Sequence, residues 1–336
     1  MYTAVDHQFM SQALAEAHNA LYLSNPNPRV GCIIVKDGEV IGRGHTQRVG
    51  GPHAEVQALA DVKSKGLDPV GSTVYVTLEP CNHTGRTPPC VDAIIEAGIA
   101  KVIYAVSDPN PIAAGGAQKL RDAGIAVEQI ESADLEYAQR AWLRKEATGR
   151  PLMIWKVATT IDSKVAASDG TSQWISGPES REDVQKLRAQ SDAILIGTNT
   201  ALVDNPHLIP KGHAARPVRI ICGEQEVPPT HQVFDDQART ILVKSKSLPE
   251  LISVLKEEKF NQVLVEAGPT LGSSLMASGN IDELIVYQAP KILGAGKEFV
   301  SDLGISTLAD HIELELISAE VMGSDVKSHY RVVKGR

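Results

Sequence analysis

The sequence has few cysteines, no excess of positive charge and no long hydrophobic stretch, and each absence excludes a class of protein. Four cysteines in 336 residues do not make a disulfide framework, which favours a cytoplasmic protein with reduced thiols. Two of them, Cys32 and Cys222, lie in apolar strands and are expected in the core. No apolar run approaches the roughly 18 residues of a membrane helix, and the amphipathic N-terminus predicts no signal peptide. A net charge of −8 argues against nucleic-acid binding, although a small anion could bind in a local basic pocket.

The length and the order of the predicted elements indicate two α/β domains. A chain of 336 residues exceeds what one ordinary core supports. Strands and helices alternate in both halves, which predicts largely parallel sheets covered by helices on both faces. A predicted helix ends at Gly149, just before Pro151, and the alternation then restarts. We therefore expect a first domain at residues 1–148 and a second at residues 149–336.

The segment from residue 79 to residue 90, EPCNHTGRTPPC, has no aliphatic side chain and suggests a metal site. His53 lies at a predicted helix start, 28 positions before Cys81, and Cys90 follows nine positions later. One histidine and two cysteines supply three zinc ligands and leave a fourth position for water, as in catalytic sites. Glu55 is placed to move protons between that water, the substrate and departing ammonia. This is the signature of zinc deaminases; the alternative, a structural zinc module that binds a partner, needs a fourth protein ligand.

Further motifs point to one family. The chain has Pro-Asn-Pro-Arg-Val-Gly at residues 26–31, Gly-Arg-Gly-His at 42–45, His-Ala-Glu at 53–55, and an eight-residue gap between the two cysteines. Together these motifs resemble the bifunctional deaminase–reductases of riboflavin biosynthesis over essentially the whole chain. The resemblance implies a cytidine-deaminase-like three-layer α/β/α domain followed by a dihydrofolate-reductase-like α/β domain. It also implies one Zn²⁺ per chain, NADPH as a cofactor, and a homo-oligomer, dimeric or tetrameric.

For the first domain, the resemblance implies deamination of 2,5-diamino-6-ribosylamino-4(3H)-pyrimidinone 5′-phosphate. In that interpretation Asn27 hydrogen-bonds the pyrimidine ring, while His83 and Arg86 face the ribosyl phosphate. Arg86 suits a phosphate because its planar guanidinium binds two oxygens at once, but it could also be an exposed loop charge. His45 could contact the substrate or be a hydrogen-bonded loop histidine.

The second domain lacks the Gly-x-Gly-x-x-Gly of a Rossmann dinucleotide site. A turn of small residues at 266–274 could bind a diphosphate through free backbone N–H groups, although such turns are more often simple connections. The resemblance implies that this domain reduces the ribosyl group of the deaminated intermediate to ribityl with NADPH. Hydride transfer requires a proton, and Lys156 and Asp204 match the positions expected to assist it. Lys156 is unusual in an apolar strand, unless it is an edge-strand lysine that reaches solvent.

The resemblance assigns further positions around the reductase site. The expected cofactor contacts are Ala158, Trp174, Thr200, Asp204, Gly268, Pro269, Thr270, Leu271, Gly272, Ser273 and Ser274. The expected substrate contacts are Ser172, Arg188, Leu208, Lys211 and Glu266. Trp174 could equally be a packing residue, and Arg188 a solvated helix charge.

The chain departs from the family pattern in the second domain. Relatives usually have glycine at the positions of Ser163 and Ala267, and arginine at the position of Lys211. These departures leave the alternative of a deaminase whose reductase-like domain is degenerate. The zinc signature alone also allows a zinc deaminase of another nucleoside or nucleotide.

Overall fold

The computed structural model describes residues 3–20, 23–84, 87–110 and 113–333. The chain folds into two compact units, residues 1–149 and 150–336. Each unit is built around a β-sheet flanked by helices, as expected for two α/β domains. In the described ranges, no helix combines the length and the apolar character needed to cross a membrane.

The first unit contains a five-stranded sheet of order β2-β1-β3-β4-β5 among its described residues. Its elements are α1 Ala4–His18, β1 Gly31–Lys36, β2 Glu39–His45, α2 Ala54–Ser64, β3 Thr73–Leu78, α3 Cys90–Glu96, β4 Lys101–Val106, α4 Gly116–Asp122, β5 Ala126–Gln129 and α5 Ala133–Thr148. Strands β3, β4 and β5 are parallel, but β1 is antiparallel to both β2 and β3. The Asp-Gly pair at residues 37–38 predicts a hairpin between β1 and β2, and the structure confirms it, with positive φ at Asp37 and Gly38. The sheet is therefore less parallel than the alternation of strands and helices alone predicts.

Helices cover both faces of this sheet. Met10 and Ala13 of α1 pack with Ile33 on one face. Ala54 and Ala58 of α2 pack on the opposite face, in a separate cluster. The first unit is thus the three-layer α/β/α arrangement predicted.

The second unit contains an eight-stranded sheet of order β10-β9-β8-β11-β6-β12-β15-β14 in its described part. Its elements are β6 Leu152–Thr160, β7 Lys164–Ala166, α6 Pro178–Ala189, β8 Ala193–Gly197, α7 Thr198–Asp204, β9 Val218–Cys222, β10 Thr240–Val243, α8 Leu248–Glu257, β11 Gln262–Val265, α9 Pro269–Ala277, β12 Glu283–Ala289, β13 Lys297–Glu298, β14 Leu314–Met322 and β15 Asp325–Val332, with 3₁₀ turns at Gln232–Phe234 and Leu308–Asp310. The first six strands in this order, from β10 through β9, β8, β11 and β6 to β12, are parallel to one another. Strand β15 is antiparallel to both of its neighbours, β12 and β14. Strand β6 lies between β11 and β12, so Lys156 is not an edge-strand lysine. Cys32 and Cys222 are buried, as predicted.

A buried arginine connects three segments of the second unit. Arg219 of β9 is fully buried; its guanidinium donates to Asp235 Oδ1 at 2.5 Å and to the Gln232 carbonyl at 2.9 Å. His207 Nε2 lies 2.5 Å from the second carboxylate oxygen of Asp235. Asp235 therefore ties the strand to the segment that follows Asp204.

Replacing this carboxylate is expected to destabilise the second unit. Asp235→Ala leaves the Arg219 guanidinium buried without its counter-charge, which should lower the free energy of unfolding by about 2 kcal/mol, less than for a fully buried pair because Asp235 is partly exposed. Urea denaturation of the full chain measures the change, and Asp236→Ala, at an exposed neighbour, is the matched control. An unchanged midpoint in Asp235→Ala would contradict this role.

Candidate active sites

His53, Cys81 and Cys90 converge at the ends of three elements of the first unit. His53 immediately precedes α2, Cys81 follows β3, and Cys90 is the first residue of α3. The Nδ1 atom of His53 lies 3.5 Å from the sulfur of Cys81 and 3.3 Å from that of Cys90. All three donor atoms lie within 4.8 Å of one another. The structure thus brings the three predicted ligands together.

The donor set and its spacing fit zinc. Nitrogen and sulfur ligands of a tetrahedral zinc ion are about 3.5 Å apart when the metal bonds are about 2.0 and 2.3 Å long, which agrees with the observed separations. The described part of the chain offers no fourth His, Cys, Asp or Glu to this cluster, as in sites with an open position. Thr87 Oγ1 lies 3.5 Å from Nε2 of His53, on the side of the ring away from the sulfurs. No pattern in the sequence predicts this contact.

The electrostatics of the cluster suit proton transfer. Glu55, in the first turn of α2, is only 4 % exposed. Burial, and then the charge of Cys81, raise the pKa of its carboxyl to about 7. A hydrogen bond from Cys90 lowers the pKa of the Cys81 thiol, whereas the pKa of Cys90 is raised. A carboxyl group that exchanges protons near neutral pH is what general acid–base catalysis requires.

A glycine sets the position of helix α2. A Cβ atom on Gly44 of β2 would lie 2.2 Å from the Ala54 carbonyl oxygen. Only glycine therefore allows the start of α2 to lie directly against the strand. This close approach fixes His53 and Glu55 at the edge of the sheet, and it explains the Gly-Arg-Gly-His motif.

Glu79 is a second positioning residue, and sequence reasoning did not single it out. Its carboxylate is buried and accepts hydrogen bonds from the backbone N–H groups of Ala117 at 3.0 Å and Asp108 at 3.3 Å. These bonds fix the turn that leads from β3 to Cys81. The sequence feature that could have identified Glu79 is an acidic residue directly after a buried strand. A carboxylate that is buried there needs hydrogen-bond donors, so it ties other segments to its own.

A cleft of about 300 Å³ opens beside His53. Its lining includes two of the predicted substrate contacts, Asn27 and His83. Within the described residues, Nδ1 of His83 is buried and has no hydrogen-bond partner. Because buried polar atoms are normally paired, this nitrogen is suited to bind a polar group of a ligand.

The structure does not place the predicted substrate contact His45 in this cleft. The imidazole of His45 lies 3.8 Å from the Glu16 carboxylate, and His45 is not among the described residues that line the cleft. Arg86 lies outside the described residues. The structure therefore brings together Asn27, His83 and the metal cluster.

In the second unit, Lys156, Arg188 and Glu266 form a charged cluster. The guanidinium of Arg188 donates from Nε and Nη2 to the two Glu266 oxygens at 2.6 and 2.9 Å. Burial lowers the pKa of the Lys156 ammonium, the charge of Glu266 opposes this shift, and the charge of Arg188 adds to it. The Arg188 side chain is 18 % exposed, so it is not a solvated helix charge. Three residues predicted separately are thus close enough for their charges to act on one another.

The segment around α7 carries four other predicted contacts. Thr200 lies within α7, and Asp204 is its last residue and is exposed. Leu208 is buried with φ of 61°, a region that a large side chain rarely adopts. Lys211 is exposed, and its backbone N–H donates to Gln185 Oε1. Among the described contacts, none joins Asp204 to the Lys156 cluster.

The turn between β11 and α9 separates the predicted diphosphate residues into two sets. The first hydrogen bond of α9 runs from Gly272 N to the Gly268 carbonyl at 3.0 Å. The N–H groups of Thr270 and Leu271 precede it and are not used within the helix. The next turn is buried, because a Cβ atom on Gly272 would lie 2.1 Å from the Trp155 ring. The first turn is therefore the part of α9 that can present N–H groups to a ligand.

The predicted nicotinamide-side loop carries an exposed tryptophan. Trp174 is 63 % exposed, so it is not a core packing residue. The Arg181 guanidinium lies 4.9 Å from its ring centroid, and Lys291 Nζ donates to its carbonyl at 2.7 Å. Ser172 lies on the same loop, and Ala158 lies on β6.

Two departures from the family pattern are accommodated locally. Ser163 has φ of 63°, a backbone region that favours glycine, which is the residue that the family resemblance leads us to expect here. Ala267 is buried, and its carbonyl accepts a hydrogen bond from Trp155 Nε1 at 3.2 Å. Neither residue disrupts the strands that carry the charged cluster.

Comparisons with known proteins agree with this description of both units. The family model of the cytidine and deoxycytidylate deaminase zinc-binding region matches residues 3–106, and that of the RibD C-terminal domain matches residues 151–328. The riboflavin biosynthesis protein RibD of Mycobacterium tuberculosis is 40 % identical over 329 residues, 94 % of each chain. RibD of Escherichia coli is 38 % identical, and the match covers 96 % of this chain and 98 % of that protein.

Solved structures give the same result. A diaminohydroxyphosphoribosylaminopyrimidine deaminase/5-amino-6-(5-phosphoribosylamino)uracil reductase from Thermotoga maritima matches with a TM-score of 0.90 at 33 % identity, over 98 % of this chain and 99 % of that one. RibD of Acinetobacter baumannii matches with a TM-score of 0.88 at 34 % identity, with the same coverage. The family resemblance inferred from the motifs is confirmed, and the chain belongs to the RibD family of bifunctional deaminase–reductases of riboflavin biosynthesis.

Proposed function

We propose that the chain carries out two successive reactions on one phosphorylated ribosylaminopyrimidine. The first unit deaminates 2,5-diamino-6-ribosylamino-4(3H)-pyrimidinone 5′-phosphate. The second unit reduces the ribosyl group of the product with NADPH to give 5-amino-6-ribitylaminouracil 5′-phosphate. The observation that carries the proposal is the convergence of His53, Cys81 and Cys90 beside a cleft lined by Asn27.

In the deaminase reaction, water replaces the amino group and ammonia leaves. Zn²⁺ held by His53, Cys81 and Cys90 would activate the water for attack on the ring carbon that bears the amino group. The Glu55 carboxylate accepts the two protons of the water in turn, and passes the first to the ring nitrogen and the second to the amino group, which leaves as ammonia. Its burial at the start of α2 excludes bulk water from this transfer.

Two cleft residues orient the substrate in this proposal. Asn27 donates to and accepts from the pyrimidine edge, because its side-chain amide offers both groups. His83, with its unpaired Nδ1, binds the ribosyl phosphate side. His45 and Arg86 remain predicted contacts of the same substrate.

In the reductase reaction, bound NADPH would supply a hydride to C1′ of the ribosyl group. Lys156 donates the proton that the opening ribose ring requires, and the charges of Glu266 and Arg188 act on its ammonium group. Asp204, Ser172, Leu208 and Lys211 remain predicted contacts around this centre.

The residues that we assign to NADPH offer groups that suit its diphosphate and its nicotinamide. The free N–H groups at the start of α9 suit the cofactor diphosphate, and the exposed Trp174 ring, with Thr200 and Ala158, suits the nicotinamide side.

Two features support a homo-oligomer and a cytoplasmic location. Strand β14 lies at the edge of the sheet, and its side chains Leu316 and Val321 are 56 % and 79 % exposed. Exposed apolar edge strands favour pairing with another chain, which supports a homo-oligomer.

A zinc site built from two thiol side chains needs reduced cysteines, which supports a cytoplasmic location.

A coupled assay tests both activities. The purified full chain with Zn²⁺ and the pyrimidine substrate should release ammonia without NADPH. When the deaminated intermediate is supplied directly, it should oxidise NADPH, with NADH run in parallel. No ammonia release would contradict the deaminase reaction, and no cofactor oxidation would favour a degenerate reductase domain.

A further inference from the structure

Helix α5 binds the loop that carries Asn27 on both sides of this residue. Gln139 Nε2 donates to the Arg29 carbonyl at 2.6 Å. Lys145 Nζ donates to the Pro26 carbonyl at 2.7 Å. Both donors come from one helix, although 110 and 119 residues separate the partners in sequence.

The loop depends on such outside donors because of its own composition. Pro26 and Pro28 have no backbone N–H, so they cannot supply the turn hydrogen bonds that would fix the loop from within. The N–H of Asn27 donates to the Ser24 carbonyl at 2.7 Å, which fixes the entry to the loop. The carbonyls of Pro26 and Arg29, on either side of Asn27, are held by side chains of α5.

The two donors are not surface groups that meet the loop by chance. Gln139 is 2 % exposed, and its Nε2 also lies 3.5 Å from Thr77 Oγ1. Thr77 Oγ1 in turn accepts from the Gly31 N–H at 3.1 Å. The Lys145 side chain is 14 % exposed, and a charged donor strengthens a hydrogen bond to a carbonyl. The loop is thereby joined to β1 and to β3, the strand that leads to Cys81.

We propose that Gln139 and Lys145 are positioning residues for deamination, acting through Asn27. Asn27 lines the same cleft as His53, so the path of the loop decides where its amide meets the pyrimidine. A displacement of about 1 Å at a reacting centre can cost about 100-fold in rate. The inference rests on the proposed contact between Asn27 and the substrate.

Single substitutions in the full zinc-loaded chain test the proposal. Gln139→Leu and Lys145→Met remove one donor each and keep most of the side-chain volume. Each should raise KM for the pyrimidine about tenfold, with one zinc per chain and unchanged NADPH-dependent reduction of the deaminated intermediate. Lys119→Met is the matched control, because Lys119 pairs with Asp92 at the surface, and its KM should not change. An unchanged KM in both α5 variants overturns the proposal.

A double-mutant cycle separates positioning from a general structural role. If Gln139 acts through Asn27, Asn27→Ala combined with Gln139→Leu should have the same KM as Asn27→Ala alone. Additive effects would overturn the proposal, as would a loss of reductase activity or zinc in parallel with the rise in KM. If Asn27→Ala leaves deamination unchanged, the substrate contact itself is wrong. If only Asn27→Ala impairs deamination, the contact stands and the role of α5 fails.

Discussion

Glu55→Gln is expected to slow ammonia release about 10³-fold while the chain retains one zinc ion, because glutamine cannot carry the proton. The substitution keeps the size and shape of a side chain that is buried in the first turn of α2. Glu55 is not among the three residues whose donor atoms cluster, so the metal should stay bound. Single-turnover release of ammonia measures the chemical step, and a metal assay on the same sample measures zinc.

Two controls show whether the loss is specific to Glu55 and to deamination. Glu96→Gln changes an exposed carboxylate of α3 and should leave ammonia release unchanged. Glu55→Gln itself should oxidise NADPH at the normal rate when it receives the deaminated intermediate. A normal rate of ammonia release would contradict the assignment, and loss of zinc with loss of rate would make Glu55 a metal-site residue instead.

The metal site was predictable because each of its parts has a local cause. A buried strand ends just before Cys81, and proline precedes Cys90 at a helix start. Parallel strands bring such ends to one edge of a sheet, and few metals other than zinc prefer one histidine with two cysteines. The antiparallel hairpin at Asp37 and Gly38 was also a local signal, although alternation alone favoured a more parallel sheet than the structure contains.

Side-chain pairs from distant segments were not predictable. Arg188 and Glu266 were each expected to contact the substrate, but their bidentate pair joins residues 78 positions apart. The bond from Gln139 to Arg29 spans 110 positions. Such pairs depend on how the helices pack on the sheet, and no spacing rule in the sequence encodes that packing. The residues proposed for the reductase site therefore appeared in the sequence as separate contacts and in the structure as one charged cluster.

Lys156→Met is expected to lower NADPH-dependent reduction about 10³-fold and to leave ammonia release unchanged. The side chain lies on a central strand beside the Arg188–Glu266 pair, and methionine keeps its length without a proton to donate. NADPH oxidation with the deaminated intermediate measures the loss. Lys246→Met, at a lysine whose side chain is 79 % exposed, should behave as the unaltered protein.

The pH dependence of reduction tests whether the Lys156 ammonium is the group that donates. Burial lowers its pKa below the ordinary value of 10.5, so the alkaline loss of activity should begin at lower pH than for an exposed lysine. The charge of Glu266 raises this pKa and that of Arg188 lowers it. Glu266→Gln should therefore move the alkaline limb to lower pH, and Arg188→Gln should move it to higher pH. If the alkaline limbs of the unaltered protein, Glu266→Gln and Arg188→Gln coincide, another group supplies the proton. The pKa of Lys156 must respond to the loss of either neighbouring charge.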